Sequence, residues 1–154
     1  MPRFVWPVGL CAVTALAGCT DPQPSTDTGP VTGIVTYHPG YHFGPATELR
    51  MELDSDTATL TVVSDGLTPL RQHIDQANDA AMIRALREHD ALDGREGEGD
   101  TGCVDGDGGS LHLTIADQKI TEWFGCGQPG VTADAITAAG FDVDEILDEV
   151  RAQF

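Results

Sequence analysis

Between Thr47 and Val63 apolar and polar residues alternate on both sides of a single interruption. Leu49, Met51 and Leu53 are interleaved with Glu48, Arg50, Glu52 and Asp54, and Leu60 and Val62 with Thr59 and Thr61. Successive side chains of a strand point to opposite faces, so each half reads as a strand with one apolar face. A two-residue turn at Ser55-Asp56 pairs Leu53 with Ala58, Met51 with Leu60 and Leu49 with Val62, and nearly every apolar side chain then falls on one face. A register slipped by one residue would scatter them. The chain is thereby committed to an antiparallel sheet whose one apolar face must be covered.

The flanking segments supply the rest. Val31 to Tyr37 reads as an earlier strand. Thr68 to Ile74 reads as a weak one that Pro69 confines to an edge. Asn78 to Glu88 has helical spacing, with Met82, Ile83 and Leu86 inward. Leu111, Leu113 and Ile115 alternate with His112 and Thr114, and a turn at Asp117-Gln118 would return the chain along Ile120 to Phe124. Thr132 is positioned to cap a short helix ended by Gly140. Asp142 caps the last helix with Glu145 three residues on, the pattern of a capping box. Val143, Ile146, Leu147, Val150 and Phe154 mark one face of that helix. The order of elements predicts an α+β fold, a small antiparallel sheet with helices packed on one face as a two-layer sandwich.

The first residues do not belong to that domain. Arg3 precedes Phe4 to Ala17, a nearly unbroken apolar stretch of signal-peptide length, too short for a spanning helix. It ends in Leu16-Ala17-Gly18-Cys19. A small residue before the cut suits a signal peptidase, and the cysteine after it is the modification site of the lipoprotein pathway, so the motif resembles the lipobox of bacterial lipoproteins. The resemblance implies a signal peptide over residues 1–18 that is cleaved, and a lipid (palmitate among its chains) on Cys19. The expected localisation is the cell envelope, lipid-anchored, at the outer membrane if the host is Gram-negative. Residues 19–30 lack apolar periodicity and contain three prolines. They read as a flexible tether reaching about 30 Å, and residues 31–154 as a single globular domain.

Of four cysteines, Cys11 leaves with the signal peptide and Cys19 takes the lipid. Cys103 and Cys126 remain as an even pair in an oxidising compartment and are expected to form a disulfide. The formal charge is −17, and loss of Arg3 takes the mature chain to −18. With one lysine and no basic cluster, nucleic acid is not an expected partner. Anionic headgroups would repel the domain, which leaves the lipid on Cys19 as the membrane contact.

From Thr57 to Val150 the layout of strand, helix ending at Leu86, hairpin Leu111 to Phe124 and terminal amphipathic helix resembles emfourin, a family of small bacterial inhibitors of thermolysin-like metalloproteases. The likeness is of layout and carries over no inhibitory residue. It implies a non-catalytic binding domain.

Three stretches offer candidate chemistry. Glu88 to Gly109 holds eight acids and seven glycines, a composition that suits calcium. Asp105-Gly106-Asp107-Gly108-Gly109 nevertheless fails the EF-hand pattern, because the fifth position is Gly109 and the twelfth Ala116. A solvated loop is the expectation there, with no metal and no cofactor. Tyr37-His38-Pro39-Gly40-Tyr41-His42-Phe43 spaces His38 and His42 four apart, but Pro39 and Gly40 forbid the helix that would align them on zinc. Tyr37, Tyr41 and Phe43 suggest instead an aromatic contact surface. Gly108-Gly109-Ser110-Leu111-His112 begins like a nucleophile elbow but ends in histidine and opens a strand, where an elbow opens a helix.

The resulting expectation is a membrane-tethered lipoprotein, not an enzyme, whose domain binds or shields an envelope protein or ligand. A lipid-anchored inhibitor of secreted proteases is the alternative, and a small hydrolase the third reading.

Overall fold

A computed structural model of the chain describes residues 29–40, 45–93, 106–125, 128 and 130–154. Six strands and three helices follow in the order β1 (Val31–His38), β2 (Thr47–Asp54), β3 (Thr57–Ser64), β4 (Leu70–Ile74), α1 (Asp79–Glu88), β5 (Gly108–Ile115), β6 (Gln118–Phe124), α2 (Val131–Ala139) and α3 (Val143–Arg151). The strands form one antiparallel sheet in the order β4-β3-β2-β1-β5-β6. With the helices on one face this is the expected α+β two-layer sandwich.

The β2–β3 register is the one the alternation requires: Leu53 faces Ala58, Met51 faces Leu60 and Leu49 faces Val62. These side chains are buried with Val31, Val35, Leu111 and Leu113 against Met82, Ile83 and Leu86 of α1, Ala135 and Ile136 of α2, and Val143, Ile146, Leu147 and Val150 of α3. Burial of such side chains contributes about 1.5–3 kcal/mol each, so the covered face dominates stability.

Helices α1 and α2 lie antiparallel, joined at both ends. The Asn78 N–H donates to Ala139 O at 2.9 Å, and His89 Nε2 lies 2.9 Å from Asp134 Oδ2. The Asn78 side chain caps α1 by accepting from Ala81 N, and Asp142 caps α3 by accepting from Glu145 N. Gly109 lets α2 approach the sheet, since a Cβ there would fall 2.2 Å from Thr132 Oγ1.

Four local expectations are corrected. Helix α2 begins at Val131 with Gly130 as its cap, so Thr132 lies inside the first turn, buried against Gly109 rather than capping. The β5–β6 turn is Ala116-Asp117, one residue earlier than expected, with Ile115 facing Gln118. Both turn residues have positive φ, the geometry that matches the sheet's twist in a two-residue hairpin. Phe154 falls beyond α3 and is 66% exposed. Tyr37 is only 6% exposed and packs on the covered face, so it does not present a contact surface.

Candidate binding surface

The pleat that buries one face of the sheet exposes the other. Direct cross-strand neighbours share a face, so the register yields rows across the uncovered one. One row runs Trp123, Ser110, Thr36, Arg50, Thr61, Arg71, and the next runs Thr121, His112, Ile34, Glu52, Thr59, His73. Trp123 is 55% exposed and Val63 on the same face 47%. The His112 ring stands edge-on to Trp123 with centroids 5.6 Å apart, a favourable aromatic geometry that restrains both rings. Arg50, Arg71 and Lys119 on this face offset Glu48, Glu52 and Asp54, with Asp75 beside His73 at its margin. The surface is therefore close to neutral in a chain of net charge −17, and most of the negative field originates elsewhere.

Several polar groups of this face are engaged with one another. The Thr36 and Ser110 hydroxyls are 2.6 Å apart. His73 Nδ1 lies 2.9 Å from Thr59 Oγ1, and its Nε2 lies 3.2 Å from Asp75 Oδ1. Ser110 is 3% exposed. Ser110 and His112 thus share a face, as strand neighbours must. The hydroxyl is turned to Thr36 and the imidazole to Trp123, so the arrangement is not that of a nucleophile beside its base.

At one end of the sheet the start of β5 meets the end of β1. Asp107 accepts from the Tyr37 hydroxyl at 3.2 Å and from the Gly40 N–H at 2.5 Å. Burial first, then the neighbouring Asp107 charge and hydrogen bond, push the Tyr37 phenol up to about 12. His38 Nε2 lies 3.7 Å from Glu48 Oε2. Among the described residues no group of three or more His, Cys, Asp or Glu is arranged to hold a metal ion. His42, Tyr41, Phe43 and Asp105 lie outside the described residues, as do Cys19, Cys103 and Cys126, so the lipidation site and the disulfide pair fall outside them too.

Two features escaped the reading of the sequence. Trp123 and His112 meet on the uncovered face. The signal was present, because Trp123 alternates with the buried Phe124 and Glu122. Glu122 itself lies on the covered face opposite Leu111, 6% exposed, and the same alternation between Ile120 and Phe124 points it inward.

Comparison of this chain with family models, with curated proteins and with solved structures finds no match, so the reading of its function rests on its own residues.

Proposed function

We propose that this chain is a lipid-anchored lipoprotein of the bacterial cell envelope, and that residues 31–154 are a non-catalytic binding domain carried above the membrane on the 19–30 tether. The observation that carries the reading is Leu16-Ala17-Gly18-Cys19 at the end of an apolar stretch that begins after Arg3. A cysteine so placed is the acceptor the lipoprotein pathway uses. The domain's surface agrees with a binding role: a broad, nearly neutral sheet face with an exposed tryptophan is a contact surface, and the one serine–histidine pair on it is committed to other partners. No helix among the described residues is long and apolar enough to cross a membrane. Attachment in this reading comes from the lipid.

The test is metabolic labelling with a fatty-acid analogue in a host that performs lipoprotein maturation. The wild-type chain incorporates label and migrates as the cleaved form. Cys19→Ser removes the label and leaves the precursor uncleaved at this site. Equal labelling of the two would overturn the anchor.

A further inference from the structure

Strand β4 ends the sheet, and no described residue pairs with its outer edge. The direction of its main-chain groups follows from the β2–β3 hairpin. Asp54 and Thr57 flank the two-residue turn and form a hydrogen-bonded pair, and bonded and non-bonded pairs alternate along an antiparallel ladder. Ala58, Leu60 and Val62 therefore turn their N–H and C=O groups toward β4, where they meet Ile74, Gln72 and Leu70. Arg71 and His73 turn theirs outward, where no described residue takes them up.

The helices stop short of this edge. Gln72, Ile74, Phe141, Asp142, Glu145 and Ile146 line a cleft of about 490 Å3 between β4 and the start of α3. Its floor is apolar through Ile74, Phe141 and Ile146, and its rim carries the exposed carboxylates of Asp142 and Glu145. The opposite side of the same edge presents Arg71 and His73. An extended chain laid along β4 would alternate its side chains between these two environments.

We propose that the free edge of β4 binds an extended polypeptide segment of a partner protein as a seventh antiparallel strand. Apolar and basic side chains of that segment enter the cleft beside Glu145, and hydroxylated ones lie beside Arg71 and His73. Main-chain pairing supplies affinity and the cleft supplies selectivity, the established physics of strand addition. Charge decides against a second copy as the occupant. Two chains of −17 repel, and paired β4 edges would set Arg71 and His73 against Arg71 and His73. The inference rests on the binding-domain half of the proposed function and not on the lipid.

The test uses the full chain in detergent micelles and the peptide acetyl-Thr-Val-Thr-Lys-Thr-Val-Thr-amide, followed by amide shifts. The shifts are expected at Arg71 and His73. In antiparallel pairing the residues opposite Arg71 and His73 lie on the same face and exchange hydrogen bonds with them. Methylating the threonine nitrogens therefore abolishes binding, and methylating the valine and lysine nitrogens leaves it. Arg71→Pro removes an outward N–H without disturbing the β3 ladder and weakens binding by about tenfold. Glu145→Gln weakens binding of this peptide and not of one with norleucine for lysine. No binding, equal affinity for the two methylated peptides, or shifts confined to Trp123 and His112 would overturn the proposal. Because lipid plays no part in the assay, its outcome and that of the Cys19 experiment are independent.

Discussion

The phenol of Tyr37 donates a hydrogen bond to Oδ2 of Asp107 at 3.2 Å, while the Gly40 N–H donates to Oδ1 of the same carboxylate. One acid at the mouth of β5 thus fastens the last turn of chain leaving β1. Two strands adjacent in the sheet but some 70 residues apart in sequence are held in register at their ends. The cost falls on the phenol's ionisation. Burial and the adjacent negative charge oppose a second anion, and the Tyr37 group is pushed up from 10.0 to about 12.

A raised folded-state pKa means that the folded chain holds a proton the unfolded chain has lost. Stability from this site is therefore complete below pH 10 and is lost as pH rises through about 12. Phenolate absorbance in a Tyr41→Phe background follows Tyr37 alone, since the chain has two tyrosines. Asp107→Asn should lower the Tyr37 midpoint but leave it above 10, because burial persists. A midpoint unchanged by Asp107→Asn would refute the link. Asp107→Ala removes an acceptor from two donors and should cost about 1–3 kcal/mol.

The same contacts bear on calcium. Each oxygen of Asp107 already accepts from a protein donor, so about half of its lone-pair sites are in use and the carboxylate is held in place by protein donors rather than by a cation. Millimolar calcium is expected to raise the melting temperature no more than matched magnesium does. A calcium-specific rise of many degrees, removed by chelator and by Asp107→Asn, would be the contrary result.

Asp79 opens α1, where a carboxylate normally gains from the helix dipole. Here burial outweighs that gain, and the neighbouring Asp56 charge adds to it. The Asp79 carboxyl rises from 3.8 to about 6, and its buried Oδ1 has no hydrogen-bond partner among the described residues. Stability from this group is present below pH 3.8 and is lost as pH rises through about 6. Asp79→Asn should therefore raise the melting temperature at pH 7.5 and change it little at pH 4. Partial solvent contact keeps the gain well below that of a fully buried charge. A variant that is less stable than wild type at pH 7.5 would contradict the assignment.

What was legible in the sequence was whatever a period could encode. The alternation around Ser55-Asp56 fixed the β2–β3 register because a slip inverts the faces, and the i, i+3, i+4 spacing of Val143, Ile146, Leu147 and Val150 fixed the buried side of α3. Tyr37 was misread because residue type suggested an exposed anchor, whereas its parity with Val31 and Val35 places it inward. Thr132 was misread because a capping residue and a glycine-tolerant close approach look alike until α2 is seen against Gly109. Of the strand order, the two hairpin pairs and the edge position that Pro69 imposes on β4 were legible. That β1 sits between β2 and β5 is settled by long-range pairing that no local pattern records.

Gly33 shows how strongly that pairing constrains single positions. It sits inside β1 at φ +134, and a Cβ there would lie 2.1 Å from His112 O. Backbone strain and collision with a neighbouring strand act together, and neither can relax without moving β5. Gly33→Ala should cost about 2–4 kcal/mol in chemical denaturation, whereas Gly66→Ala, with nothing within 4 Å of its Cβ but φ +84, should cost about 1 kcal/mol. Equal losses at the two sites would mean that β1 and β5 are not packed as closely as described.

The disulfide expectation gains a physical argument from the β5–β6 ladder. Gly109 faces Phe124, so the start of β5 and the end of β6 are neighbours. Cys103 lies six residues before the one and Cys126 two after the other. Folding by itself therefore brings the start of β5 and the end of β6 together, so the sheet already closes the loop that a bridge would close. The bridge's effect falls on the unfolded chain, where 22 residues separate the cysteines and the entropy of closing such a loop corresponds to about 3 kcal/mol. The mature chain, unfolded in the presence of an alkylating agent without reductant, should gain no mass on Cys103 or Cys126. After reduction it should gain two labels and melt at lower temperature. Labelling of both cysteines before reduction would reject the pairing, and a reduced chain as stable as the oxidised one would reject the entropic account of it.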